Sequence, residues 1–311
     1  MFELHMEKLT ALLQRENLSL GEYTLRCEME QSGKSRAQVM ARMEGMLGVM
    51  RQAAAEATER PVHSVSGLTG GDAYRYNMYR QGGKSICGPV MSAAVAMALS
   101  GSEMNASMSR IVACPTAGSC GIVPAALLAV AQERHKTQEE LLLSLFTAAG
   151  IGIVIGSRAT VAGAEGGCQA ECGAAAAMAA AGVTELLGGS ADQAFHAAAM
   201  ALKNEMGLVC DPVAGLVEIP CIKRNAAGAA LAILSADLAL AGVQSRIPFG
   251  EVVDAMREVG EAMSDSLKET AQGGLAATPT GRRLQQQVTA ASQTVSQGPI
   301  ADMIIEESRS L

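Results

Sequence analysis

From Glu171 to Leu187 the chain reads ECGAAAAMAAAGVTELL, a helical stretch with few side chains larger than a methyl group. A helix this smooth brings little bulk to a core, and small side chains let neighbouring helix backbones approach closely. The rest of the sequence obeys the same constraint. Apolar residues make up 49% of the 311, yet aromatics reach only 3% and Trp is absent. The core must therefore be assembled from Ala, Gly, Val, Leu and 18 Met, which favours closely spaced helices. The length suits one large or two modest domains.

Helical periodicity recurs along the chain. It is read over Glu3–Glu16, Arg36–Ala55 (with Ser35 as N-cap), Pro89–Leu99, Ile122–Arg134 and Gln138–Gly156. It continues over Glu171–Leu187, Ala191–Glu205, Arg224–Gly242 and Gly250–Asp265. Pro61 to Gly83 reads as loop. Strand candidates are short, Ile111–Cys114 and Val213–Ile219, and neither alternates over any length. No period of 20 to 50 residues repeats, which excludes a solenoid. The expectation is an all-α fold with one mostly helical domain over residues 1–290. A polar tail over 291–311 is expected to fray. Gly-rich segments interrupt the helices at Gly67–Gly71, Gly82–Gly88, Thr116–Gly121 and Gly163–Gly167, and loops on a rigid scaffold are where chemistry usually sits.

Several function classes fall away. A formal charge of −7 without basic blocks makes a poor nucleic-acid binder, whose affinity comes largely from phosphate neutralisation. The opening MFELHMEKLTALL carries Glu3 and Glu7 and lacks the apolar run of a secretory signal. Ala226–Val243 is long enough to approach a membrane span but holds Ser235 and Asp237, so a buried core helix is expected and no membrane partner. A cytoplasmic location and eight reduced thiols follow as expectations. Gly83-Lys84-Ser85 resembles the end of a phosphate-binding loop, but the required upstream glycine is Met78. Gly150-Ile-Gly152-Ile-Val-Ile-Gly156 has no preceding strand to make it a dinucleotide site. Only Lys84 and Lys223 have surroundings of interest for a pyridoxal phosphate Schiff base. No GxSxG elbow exists for a serine hydrolase. Of the histidines at 5, 63, 135 and 196, none is paired at i, i+4 or lies near a cysteine. His63, in the loop before the Gly67–Gly71 run, is the candidate to face a site.

The cysteines remain, at 27, 87, 114, 120, 168, 172, 210 and 221, with no CxxC pair among them. Cys27 and Cys172 fall in helical patterns and read as packing. Cys168 follows Gly166-Gly167 and opens a long helix, whose N-terminus favours a thiolate. Cys210 precedes Asp211-Pro212 and Cys221 follows Pro220, so both lie where helix breaks. Three thiolates from separate loops could hold three irons of a [4Fe–4S] cluster and leave the fourth open to substrate as a Lewis acid. On spacing alone this is one reading among several, with Cys114 and Cys120 competing for membership. A structural metal protein or regulatory binding module is another.

Three segments carry a resemblance. They are Cys114-Pro-Thr-Ala-Gly-Ser-Cys-Gly-Ile-Val-Pro124, Glu165-Gly-Gly-Cys-Gln-Ala-Glu171 and Cys210-Asp-Pro-Val-Ala-Gly-Leu-Val-Glu-Ile-Pro-Cys-Ile-Lys-Arg-Asn225. They resemble the iron–sulfur-dependent L-serine dehydratases (L-serine ammonia-lyases), most closely the alpha chain of the two-subunit form, from Gly67 to Gly281. The resemblance implies a lyase whose cluster ligands are Cys168, Cys210 and Cys221, with Cys114 and Cys120 lining the pocket. Residues 1–290 then form the iron–sulfur catalytic domain. It implies that L-serine gives pyruvate and ammonia, with the open iron acting on the serine hydroxyl. The iron–sulfur cysteine desulfidases, which eliminate sulfide from L-cysteine, are the alternative. Backbone N–H groups of Thr116, Ala117 and Gly118, with Lys84 and Ser85, are candidates for the substrate carboxylate. Two family features are missing from this sequence: a terminal cysteine able to cap the open iron, and the small α/β domain with its Ser-Ser-Ser-His-Thr segment. A separate small beta subunit of α/β type is therefore expected to supply the rest of the pocket. A homo-oligomer is left open.

Overall fold

A computed structural model describes residues 2–296, with side chains through residue 290. Among the described residues the chain forms thirteen α-helices and no strand. They are α1 (Met6–Glu16), α2 (Leu20–Ser32), α3 (Arg36–Glu59), α4 (Asp72–Gln81), α5 (Gly88–Ala106), α6 (Ile122–Glu133), α7 (Gln138–Arg158), α8 (Gly163–Gly166), α9 (Ala174–Leu186), α10 (Ala191–Asn204), α11 (Cys221–Leu240), α12 (Phe249–Ala262) and α13 (Pro279–Ser296). The expected all-α fold is the one observed. The smooth stretch becomes α9, buried on every side and packed against α6, α7, α10 and α11. Its small residues set the spacing: a Cβ at Gly182 would come within 2.9 Å of the Ser144 carbonyl on α7. Capping boxes at Ser35, Thr137 and Ser190 fix where α3, α7 and α10 begin.

Two helix starts are set from a distance. The carboxylate of Glu103 on α5 accepts the N–H groups of Asp72 (2.7 Å) and Ala73 (3.3 Å), so α4 forms where the local sequence reads as loop. Glu185 on α9 does the same for Leu20 (2.7 Å) and Gly21 (3.1 Å) at the start of α2. Each acid satisfies donors that a helix N-terminus leaves without partners, and neither tie shows in the local pattern.

The strand expectations are corrected. Ile111–Cys114 is a connection without a β partner, and Val213–Gly215 is a 3-10 turn whose Ala214 has φ 58°. Short apolar runs in this chain thread between helices instead of pairing. The Ala226–Val243 stretch lies mostly in α11. Gly228, Ala229, Ala232, Ser235, Ala236 and Ala239 are buried, while Leu234 and Leu238 remain exposed, so only one face is core. The described helix long and apolar enough to cross a membrane is α7; it packs against α2 and α9. Helix α13 continues through residue 296, past the expected domain end at 290. The rest of the expected tail, 297–311, lies outside the described residues.

Candidate functional site

Four connections meet at the N-terminal end of α11. The first carries Cys168. Here α8 ends at Gly167, in the left-handed region (φ 75°) with the Leu208 carbonyl 2.9 Å from where a Cβ would sit, so only glycine fits. Cys168 follows, then a π-helical turn, Gln169–Gly173. Gln169 is fully buried and clamps this turn. Its Nε2 donates to the Met256 carbonyl at 2.9 Å, and its Oε1 accepts the Gly207 N–H at 2.8 Å.

The second connection carries Cys210, whose N–H donates to the Leu267 carbonyl (2.8 Å) and whose carbonyl accepts the Glu269 N–H (2.7 Å). The next residue, Asp211, is buried. It accepts from Arg224 Nη2 at 2.9 Å and from the Leu275 N–H at 2.7 Å, while Arg224 Nη1 donates to the Val209 carbonyl at 2.7 Å. This ion pair ties the Cys210 segment to the first turn of α11, which begins at Cys221. The third connection is Gly67–Gly71, joined to the segment before Cys221 by the Thr69 hydroxyl, which donates to buried Glu218 at 2.6 Å.

The fourth runs from Cys114 to Gly121, with a 3-10 turn at Ala117–Ser119. Asn225 of α11 is fully buried and holds it. Its Nδ2 donates to the carbonyls of Gly118 (2.7 Å) and Cys221 (2.9 Å), and its Oδ1 accepts the Gly121 N–H (2.9 Å). Between the fourth and second connections sits the carboxylate of Glu171. It accepts from the Thr116 hydroxyl at 2.6 Å and lies 3.8 Å from the Cys210 sulfur. A Cβ at Gly118 would stand 2.9 Å from this carboxylate, and one at Gly163 would reach 3.1 Å from the Cys210 sulfur. Glycine at both places leaves the carboxylate room where it stands, since a Cβ at Gly163 would meet it as well.

The expected ligand cysteines come together here, all buried: Cys168 at 2%, Cys210 at 4% and Cys221 at 8% exposure. Burial pushes the Cys221 thiol up to about 12 and the Cys210 thiol higher, and the neighbouring Cys168 and Glu171 charges add to both. Cys168 is drawn the other way, by a hydrogen bond with Cys172 against the cost of burial and then by the nearby Arg224 charge. Cys172, read from the sequence as packing, has its sulfur 3.4 Å from that of Cys168, and it is pushed up in turn by that contact. Burial also raises the Glu171 carboxyl, against the Thr116 hydrogen bond.

The other expected residues are placed variously. Cys114 and Cys120 turn into the core: the Cys120 thiol faces the Gly101 carbonyl at 3.6 Å, and the Cys114 thiol faces the Val112 and Cys120 carbonyls. Burial pushes both thiols up, Cys120 to about 12. Neither is drawn into the group around Cys168. Lys84 and Ser85 sit on the outward Gly82–Gly88 segment. There Tyr79 Oη donates to the Lys84 carbonyl (2.7 Å), and Ser85 Oγ accepts the Cys87 N–H (3.3 Å). His63 is exposed, its imidazole against the Gly70 backbone. Thr116 and Gly118 are half-buried, and Ala117 is exposed.

Among the described residues no three His, Cys, Asp or Glu side chains converge at the bonding distances of a single metal ion. That does not suit one zinc ion, whose four ligands share one centre. A four-iron cluster asks for something else, because its thiolates stand on separate irons around a body several ångströms across. Three buried soft donors, Cys168 after α8, Cys210 after α10 and Cys221 at the first position of α11, match the donor chemistry of such a group.

Comparison with known proteins places the chain in a family. The sequence model for the serine dehydratase alpha chain matches residues 15–276. The chain is 46% identical over 284 residues to the probable L-serine dehydratase alpha chain of Bacillus subtilis (strain 168), covering 91% of this chain and 94% of that one. It is 46% identical over 268 residues to the L-serine dehydratase alpha chain of Peptoniphilus asaccharolyticus, covering 86% and 92%. Similarity to L-serine dehydratase TdcG of Escherichia coli (strain K12) is also 46%, over 181 residues, but covers only 40% of that protein. These matches, over most of the chain and of its relatives, show that the chain belongs to the serine dehydratase alpha chain family.

Proposed function

We propose that this chain is the alpha chain of an iron–sulfur L-serine dehydratase, a lyase converting L-serine to pyruvate and ammonia. The observation that carries the reading is the gathering of Cys168, Cys210 and Cys221, all buried, from the segment after α8, the segment after α10 and the first position of α11. These three would hold a [4Fe–4S] cluster. When bound, it supplies Lewis acidity toward the serine hydroxyl, making hydroxide a better leaving group.

The chain's own residues do the rest of the positioning. The Thr116–Gly118 backbone is half open to solvent and fixed from behind by Asn225, so its N–H groups can take the substrate carboxylate without reorganising. Glu171 holds the Thr116 hydroxyl, which sets that loop against the Cys210 segment. Gln169, Asp211 and Arg224 fix the backbone on which the thiols stand, since a site loose by an ångström loses much of its rate.

Dehydration also needs a base at the serine Cα, a role most often filled by His. His63, exposed and turned against Gly70, is poorly placed for it. The relatives matched over most of their length are named alpha chains, and most of the E. coli relative lies outside the match. Both points support a small second chain that covers the site and supplies the base. The test is pyruvate formation by the full chain with its cluster rebuilt under argon, from L-serine and L-cysteine side by side, with and without the partner. Turnover of serine only with the partner is expected. Faster turnover of cysteine would give the chain to the desulfidases, and equal turnover without the partner would place the base within this sequence.

A further inference from the structure

Cys172 has no part in the reaction proposed above, yet its sulfur lies 3.4 Å from that of Cys168 and both residues are buried. We infer that Cys168 and Cys172 form a redox modification site, closing a disulfide when peroxide reaches the chain without its cluster. A disulfide needs the sulfurs at about 2.05 Å, so the pair has about 1.4 Å left to close. The pair is spaced i, i+4, which places both on one face of a helical turn. The backbone between them is held by Gln169, through Met256, Gly207 and its own N–H to the Leu208 carbonyl, so the sulfurs keep their approach.

Other sulfurs are engaged differently. Cys210 faces the Glu171 carboxylate, and the Cys114 and Cys120 thiols face carbonyls. Among the described residues, Cys168 and Cys172 are the pair with sulfurs in contact.

The chemistry balances in two steps. The Cys168 thiolate attacks hydrogen peroxide: an S–O bond forms, the O–O bond breaks, and hydroxide leaves to take up the proton that Cys168 lost. The Cys172 sulfur then attacks the sulfenic sulfur, forming S–S and breaking S–O, and water leaves with the Cys172 proton. Two thiols have lost two electrons and one peroxide has become two waters. Closure has two effects. It removes Cys168 from the metal-binding set until the bond is reduced, and it keeps that sulfur from the irreversible sulfinic stage. The first effect rests on the proposed role of Cys168; the disulfide itself needs only the two sulfurs.

The test uses the full chain, stripped of iron by chelation under argon, treated with hydrogen peroxide, alkylated and digested. The expected fragment carrying both residues is lighter by two hydrogens and unlabelled, and dithiothreitol restores both labelling and iron uptake. In Cys172→Ala, or in Cys172→Ser if the first variant loses its native circular dichroism, Cys168 should instead advance to sulfinic acid, which dithiothreitol does not reverse. Wild-type Cys168 recovered as sulfinic acid, or bonded to Cys210 or Cys221, overturns the proposal. A clean Cys168–Cys172 disulfide in a chain that takes up no iron before or after reduction leaves it standing and refutes the cluster reading alone.

Discussion

Asn225 donates from Nδ2 to the Gly118 carbonyl at 2.7 Å, joining the helix that begins at Cys221 to the loop that carries Thr116. The same side chain accepts the Gly121 N–H and donates to the Cys221 carbonyl, so one buried amide sets the distance between the Cys221 segment and the Thr116 loop. Replacing Asn225 by Leu leaves three backbone groups without it, at a cost of about 1–3 kcal/mol for each group that finds no other partner. Urea denaturation should show that loss. If the loop binds serine as proposed, the KM for serine should rise more than kcat falls. An unchanged KM would separate Asn225 from substrate binding.

Asp211 and Arg224 form an ion pair at 2.9 Å, with 4% and 17% side-chain exposure. Asp211→Ala strands the guanidinium, and removing one partner of a buried pair costs about 3–5 kcal/mol. Asp211→Asn keeps an oxygen for the Leu275 N–H and should lose less. Iron content should fall with stability in the alanine variant, since Asp211 adjoins Cys210. Full iron retention by a destabilised Asp211→Ala protein would show that the pair serves the fold and not the thiol.

Glu185 gives a pH prediction with a definite sign. Burial raises its carboxyl above the usual range, against hydrogen bonds from Thr147, Leu20 and Gly21. A raised value means the folded chain holds the proton more tightly than the unfolded one. Stability therefore falls as pH climbs from the ordinary value of 4.5 through the raised one, then levels off. Glu185→Gln has no such proton. The stability of wild type relative to the variant should decline across that window, read from urea midpoints at successive pH values. An advantage that grows with pH would reverse the sign and contradict the burial argument.

Much of the fold is legible in the sequence because α9, α10 and the capped starts of α3 and α7 are determined locally, by periodicity and by Ser35, Thr137 and Ser190. The start of α4 is not, because its cap is Glu103 on another helix. The site divides the same way. Cys168, Cys210 and Cys221 stand out beside Gly and Pro at helix breaks, and their motifs resemble a known family. Cys172 looks like packing because α-helical spacing hides a π-helical turn. Glu171 and Asn225 lie within the quoted motifs, but their roles depend on Thr116, Gly118 and Gly121, some 50 to 110 residues away. The inward turn of Cys120 likewise follows from packing on α5, whose Gly101 lies 19 residues away.

The cysteines should separate into two groups by substitution. Cys168→Ser, Cys210→Ser and Cys221→Ser should each abolish iron binding, visible absorption and pyruvate formation. Cys27→Ser and Cys120→Ser should retain all three, since Cys27 lies on α2 and Cys120 faces Gly101. Loss of iron in Cys120→Ser with retention in Cys221→Ser would exchange their roles.

The metal content and colour of the full chain purified under argon test whether the three buried thiols around the start of α11 hold a cluster. A brown protein with about four irons and about four sulfides per chain is expected. Its visible absorption should fade within hours of exposure to air and return with Fe(II), sulfide and reductant. A colourless chain carrying zinc, or an absorption that survives prolonged aeration with activity intact, would contradict it.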